Sequence, residues 1–443
     1  MEPSFSRRRF LRQASATALL AGGAPAILAH RAKAQAKTLR ILRWKHFVPS
    51  YDSWFNDVYI KEWGEKNDTE VIVDNVGLGD LGGLAAAEAE AGQGHDLVLF
   101  LAPPPVYEDL VIDHREIYEE CERRYGKAAE FARRSSYNPR TDKFYGVCAG
   151  YLPAVLTYRR DLWDAVGETP DSWDTVRKGG RKIKLLHEKP VGISLAPENN
   201  SNYGLRALMY AFGASVQDAD GMPALKSSAT LEALKFGKAL YEEAMPNDVV
   251  LWNAASNNRF ILAEDGCLTV DTLSIARAAE NRQLPVDPHL KLAQLPEGPA
   301  GRIGPSFGLL TYIIWKFSRN VDGAKKFLVD YIGDFRHGFQ ASGFQNMPSF
   351  PGTVSDLANL VENDPHATDS GRYRILADIA SLTTNVGDPG YANAAIDEIF
   401  AKGLIPIMFA RVATDQQTAE DALDLASKEV GEIFDKWRAA GKI

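Results

Sequence analysis

Apolar and polar residues alternate through Leu39-Arg40-Ile41-Leu42-Arg43-Trp44, the two-residue period of a short strand. The period then lengthens, and Trp54, Val58 and Trp63 fall near one face of a helix predicted over 52–67. A second strand is predicted over 69–76, an Ala/Glu-rich helix over 81–91, and a buried strand over 96–102 that ends in Pro103-Pro104-Pro105. Strands alternating with helices predict an α/β fold with a largely parallel sheet. The alternation continues with a helix over 230–245 and a strand over 266–270. A loop at 296–301 then leads into an apolar strand over 309–315, and an amphipathic helix over 419–437 closes the chain. No internal repeat interrupts this pattern.

The first thirty-six residues follow a different rule. Ser6-Arg7-Arg8-Arg9-Phe10-Leu11-Arg12 is a near-complete twin-arginine motif, followed by a short apolar run and by Ala34-Gln35-Ala36. That order predicts a cleaved export signal over 1–36, with cleavage near Ala36 and a periplasmic or exterior destination. Six basic residues and one acid lie in this leader. The remainder carries 44 basic against 57 acidic side chains, a net charge of −13. Such a surface argues against nucleic acid or an anionic membrane as partner, since both need a basic face. Its length suits two domains better than one. Cys121, Cys148 and Cys267 have neither metal nor redox spacing and allow one disulfide at most.

Several short motifs carry competing chemistry. Gly77-Leu78-Gly79-Asp80-Leu81-Gly82 matches the dinucleotide fingerprint between a strand and a helix, yet the next strand ends without the ribose carboxylate. Glu188-Lys189-Pro190 resembles a tripeptide of exported sugar oxidoreductases, and the two together form the case for a nicotinamide-dependent enzyme. Gly304-Pro305-Ser306-Phe307-Gly308 matches the nucleophile-elbow pattern, but a loop precedes it and a strand follows, the reverse of an elbow. Asp218-Ala219-Asp220-Gly221 reads as a turn, and no histidine pair has metal-ligand spacing. A non-enzyme without cofactor or metal is the expectation.

Five further landmarks occur in order: Trp173-Asp174 after a Thr-Pro turn, Tyr210-Ala211-Phe212-Gly213-Ala214, Trp252 through Phe260 with Gly266, Leu295 to Pro299 with Gly304 to Gly308, and Ser318-Arg319-Asn320 with Ala324 to Leu328. In these the chain from Lys37 onward resembles the extracellular solute-binding proteins, family 1, of sugar-type ABC importers. Cys267-Leu268 and Arg319 depart from the family's usual Ala-Met and lysine. The resemblance implies a periplasmic-binding-protein type II-like α/β fold of two discontinuous lobes, 37–148 plus 304–346 and 149–303 plus 347–443. Hinge crossings are expected near 149–151, 301–304 and 346–348. It also implies a monomeric receptor that closes over a carbohydrate or polyol and hands it to a cognate inner-membrane permease. A polyamine, peptide or organic acid is the alternative solute.

Sugars present apolar C–H faces and a rim of hydroxyls, so their sites pair aromatic rings with short polar groups. Loops at the carboxyl ends of strands gather such groups. The candidates are Trp44, His46 and Tyr51 after the first strand, Pro103 and Tyr107 after the proline run, and Asn199, Asn200 and Tyr203 in a polar stretch. Trp252, Asp271, Ser274 and, from the crossing loop, Phe307 complete the set. Loss of Trp252 or Asp271 is expected to weaken binding without changing the melting temperature of the empty protein.

Overall fold

The computed structural model describes residues 37–306 and 308–443. The export-signal reading of 1–36 and the ligand role expected of Phe307 therefore lie outside the described residues. Two separate sheets organise the rest. The first has six strands in the order Met347–Pro348, Val147–Leu152, Gly308–Ile314, Leu97–Phe100, Lys37–Trp44, Thr69–Val76. The second has four, in the order Leu290–Ala293, Val155–Arg159, Leu268–Asp271, Val191–Gly192.

Burial explains which strands are central. Leu97–Phe100 is buried at every position, whereas Thr69–Val76 at the edge is half open to solvent. Lys37–Trp44 pairs in parallel with both. Gly308–Ile314 enters antiparallel to Leu97–Phe100, and Val147–Leu152 and Met347–Pro348 are antiparallel to their neighbours. The sheet is thus mixed, which corrects the largely parallel expectation. A βαβ crossover returns a strand parallel to its predecessor, but a strand arriving from the other sheet has no such constraint.

The chain passes between the lobes three times, the third passage following Met347–Pro348 and leading to segments that pack on the second lobe, as Arg372 does on Asp287. Val147–Leu152 lies wholly in the first sheet and Val155–Arg159 in the second, so the first passage falls at Pro153-Ala154, just beyond the expected 149–151. Gly304–Pro305 lies on the second passage and pairs in parallel with Thr383–Thr384, which follows the third. Asp96 anchors one end of the first sheet. Its carboxylate accepts from the Arg40 N–H at 2.8 Å, the Ser318 hydroxyl at 2.6 Å and the Arg319 N–H at 2.9 Å. That gives the Ser318-Arg319-Asn320 landmark a physical role in which the side chain at 319 is interchangeable.

In the second lobe the helix Ser274–Asn281 is tied to later chain by a buried ionic network. Arg372, fully buried, donates to Glu280 Oε1 at 2.8 Å and to Asp287 Oδ1 at 2.5 Å, and the Tyr373 hydroxyl reaches Glu280 Oε2 at 2.6 Å. Arg277 joins the same network through Glu280 at 3.0 Å and Asp364 at 2.6 Å.

Candidate functional site

The strand Leu268–Asp271 ends on Asp271, whose side chain is buried. Asp271 Oδ2 accepts from Asn257 Nδ2 and Oδ1 from the Thr272 N–H, both at 2.5 Å. Asn257 Oδ1 in turn accepts from Asn200 Nδ2 at 2.9 Å. Asn200 sits in the first turn of the helix Asn199–Ala211. This helix starts at Asn199, because Glu198 forms its N-cap and accepts the Asn200 and Ser201 N–H groups, each at 2.8 Å. Ser274, half-buried, accepts from Asn258 Nδ2 at 2.9 Å. The Asn257-Asn258 pair therefore stitches Asn200, Asp271 and Ser274 into one polar cluster.

Burial pushes the Asp271 carboxyl up to about 7, outweighing its hydrogen bonds to Thr272 and Asn257, and the Glu198 charge adds to the rise. Burial raises Glu198 as well. An ionised carboxylate offers about four acceptor positions, and on Asp271 the Asn257 amide and the N–H and hydroxyl of Thr272 draw on them. The arrangement suits hydroxyl recognition. Among the described residues no histidine is hydrogen-bonded to Asp271.

The first sheet presents its own loop at the carboxyl end of Lys37–Trp44. Trp44 and His46 stack with ring centroids 4.9 Å apart, and Phe47 leans on Trp44 at 5.5 Å. Phe47 is 53% exposed, which makes it the open aromatic face of this loop. His46 is buried; its Nδ1 accepts the Val48 N–H at 2.9 Å and its Nε2 lies 3.0 Å from Asn346 Oδ1. Burial drives its pKa down to about 3, so the ring is neutral and rigidly held. Tyr51 sits deeper, its hydroxyl 2.6 Å from that of Tyr331 and its ring 4.9 Å from the Arg43 guanidinium. Those contacts hold Tyr51 in the lobe's packed interior.

Pro103 is buried and Tyr107 half-buried, with the Tyr107 ring edge-on to Trp315 at 5.2 Å. Asp397, on the helix Ala394–Ala401, was not singled out by the sequence. Its carboxyl is raised to about 7 by burial, with Glu398 adding to it, and its charge helps to raise Tyr107. Tyr203 is buried against Phe400 at 5.1 Å. Trp252 is packed within its own lobe. Its ring packs on Phe260 at 5.0 Å, its Nε1 donates to Asp248 at 3.2 Å, and a Cβ on Gly192 would come within 2.6 Å of it. These are contacts of a wedge inside the second lobe.

The rival motifs fall apart in space. Gly77 precedes the helix Leu78–Ala91 on the first sheet, and Asp80 stands in that helix's first turn, where a pyrophosphate would meet a like charge. Glu188 adopts a left-handed conformation capping the helix Trp173–His187, beside the second sheet. Ser306 is fully buried, its Oγ 2.6 Å from the Gly308 carbonyl and 3.1 Å from that of Leu152, which leaves no approach for a base or an ester. All three cysteines are buried and free. Among the described residues no group of three or more His, Cys, Asp or Glu is placed to hold a metal. Among them too, no helix is long and apolar enough to cross a membrane.

Two α/β lobes, each assembled from separate stretches of chain and joined by passing strands, define a periplasmic-binding-protein fold. Solved structures share it. The maltose-bound T. maritima MalE3 superposes with a TM-score of 0.72 at 16% identity, covering 89% of this chain and 99% of the other. A sugar transporter from Arthrobacter chlorophenolicus A6 with bound laminaribiose gives 0.73 at 14% identity, with 89% and 99% covered. An ABC transporter solute-binding protein from Agrobacterium radiobacter K84 in complex with ribitol gives 0.69 at 14%, with 90% and 98% covered. The chain belongs to the bacterial extracellular solute-binding proteins, whose family pattern matches residues 49–331. A protein of Brucella abortus (strain 2308) named as a binding protein is 25% identical over 215 residues, 47% of this chain and 51% of its own length. The chain thus spans about half the length of the curated relatives it matches.

Proposed function

We propose that the protein is the periplasmic receptor of an ABC import system, capturing a carbohydrate or polyol between its lobes and delivering it to a cognate permease. In this reading the first lobe comprises 37–152 plus 304–348, since Met347–Pro348 pairs within its sheet, and the second the remainder, against the expected boundaries at 148 and 346. The observation that carries this reading is the Asn200–Asn257–Asp271 cluster, a chain of acceptor-rich groups at a strand end gathered on a buried carboxylate. Maltose, laminaribiose and ribitol in proteins of the same fold support polyhydroxylated ligands. The separation of the Gly77–Gly82 and Glu188–Pro190 motifs onto different sheets weighs against the nicotinamide-dependent alternative. The candidate cluster draws on one chain alone, which supports the expected monomer.

A thermal-shift screen against monosaccharides, disaccharides, polyols, polyamines, short peptides and organic acids tests the reading. A saccharide or polyol at a hundredfold excess over its dissociation constant is expected to stabilise by about 2.7 kcal/mol. Stabilisation by polyamines or peptides alone would reassign the solute. A chemically altered saccharide would make the protein an enzyme.

A further inference from the structure

The helix Asn199–Ala211 has two faces. Gly204, Leu205 and Leu208 line the apolar interior of the second lobe beside Trp173 and Leu240. Asn199, Tyr203, Arg206 and Tyr210, at three- and four-residue spacing, form a stripe on the other side. The first of these adjoins the polar cluster. Arg206 is completely buried. Its Nη1 makes one long contact to the Val386 carbonyl at 3.4 Å, and its Nε and Nη2 meet no acceptor among the described residues. Among the described residues no carboxylate pairs with it: Asp388, two residues past Val386, faces Arg134 at 4.0 Å. What surrounds the guanidinium is aromatic: the Tyr210 hydroxyl accepts a hydrogen bond from it, Phe400 lies at 5.5 Å and the Tyr203 phenol is nearby, none of which carries a negative charge.

Burying an uncompensated charge is among the costliest things a fold does. A cation–π contact returns only a part of that cost. Other buried arginines have nitrogens without a partner, Nε and Nη1 of Arg43 and Nε of Arg372, but each has a carboxylate: Arg372 bonds Glu280 and Asp287, and Arg43 reaches Asp52 at 3.1 Å. The unmatched atoms of Arg206 are also chemically specific. Nε–H and the adjacent Nη2–H form one edge of the guanidinium, the fork that grips two oxygens of one anion side by side.

Resting on the receptor reading above, we infer that Arg206 is an anion-recognising residue and that the natural ligand is an acidic saccharide, whose carboxylate or phosphate takes the Nε/Nη2 edge. The helix rises about 1.5 Å per residue, so Arg206 lies roughly 9 Å along it from Asn200. A sugar of one or two rings bridges that span, hydroxyls towards Asn200 and Asp271 and its charge towards Arg206. Desolvation pulls the guanidinium pKa below the ordinary arginine value, the sign expected of a charge held ready for a partner.

The test compares galacturonate and digalacturonate with galactose and galactobiose, and galactose 6-phosphate as the phosphate arm, by calorimetry on the wild type and on Arg206→Met. The acidic probes of one arm are expected to bind at least tenfold more tightly than their neutral counterparts, and Arg206→Met is expected to erase that preference. The carboxylate and phosphate arms decide which anion is recognised. Without ligand, Arg206→Met is expected to melt higher than wild type, because an unpaired buried charge is removed and the methionine keeps the volume. Equal binding of neutral and acidic probes would overturn this inference and leave the receptor standing. A lower melting temperature for the empty variant would show that Arg206 is structural and would overturn it too. A protein that binds no saccharide at all would overturn both readings.

Discussion

Replacing Trp252 by alanine is expected to destabilise the empty protein by about 3–5 kcal/mol, the usual cost of emptying an aromatic site in a packed interior. The ring is 9% exposed, closes over Gly192 and meets Phe260 at 5.0 Å, so its loss leaves a cavity that these neighbours cannot refill. Its Nε1 hydrogen bond to Asp248 at 3.2 Å disappears as well. Chemical denaturation of the purified variant measures the effect. Ligand affinity, read at a temperature where the variant is fully folded, is expected to change less than tenfold. Unchanged stability with affinity abolished would return Trp252 to the role of a sugar platform.

Replacing Asp271 acts in the opposite way. Its carboxylate is the acceptor around which Asn257, Thr272 and, through Asn257, Asn200 are arranged. Hydrogen bonds from ligand hydroxyls to a charged, buried acceptor contribute about 1.5–3 kcal/mol each. Asp271→Ala is therefore expected to weaken saccharide binding about a hundredfold or more, equivalent to ~2.7 kcal/mol. The pH dependence follows from the same group. Its folded pKa of about 7 stands above the ordinary carboxylate value, so the native state favours the proton. That contribution is fully present below the unfolded pKa near 4 and is lost as pH rises through 7. The stability of the empty protein is expected to fall over this window, and Asp271→Asn to flatten the fall. Asp397, raised to about 7 in the same direction, keeps a residual slope. Saccharide affinity is expected to rise from pH 5 to pH 7, since bound hydroxyls favour the ionised acceptor. Affinity independent of pH in that range would remove Asp271 from the site.

The comparison of these two residues shows what the chain's pattern makes legible. Strand and helix positions follow from local periodicity, and the strands at 37–44, 69–76 and 97–100 lie close to where alternation and apolar runs put them. Strand direction does not follow, because Gly308–Ile314 enters its sheet from a passage that local pattern does not encode. For the site, Asn200, Asp271 and Ser274 converge because strand ends and helix starts are local features that point one way in an α/β fold. The aromatic residues are harder. Tyr51 is packed by Tyr331, 280 positions away, and Trp252 by Gly192, both beyond the reach of spacing. Phe47 stands in the same loop as Trp44 and His46, and only its 53% exposure separates it from them. Arg206 lacks any sequence signal, since an arginine within an amphipathic helix reads as a solvated face.

The account depends on a solute drawing the two lobes together. Small-angle scattering from the purified protein, with and without a saturating saccharide whose binding calorimetry has established, measures that directly. The account predicts a smaller radius of gyration on addition of the ligand and a profile that returns when the ligand is dialysed away. Superimposable profiles at full occupancy would contradict it.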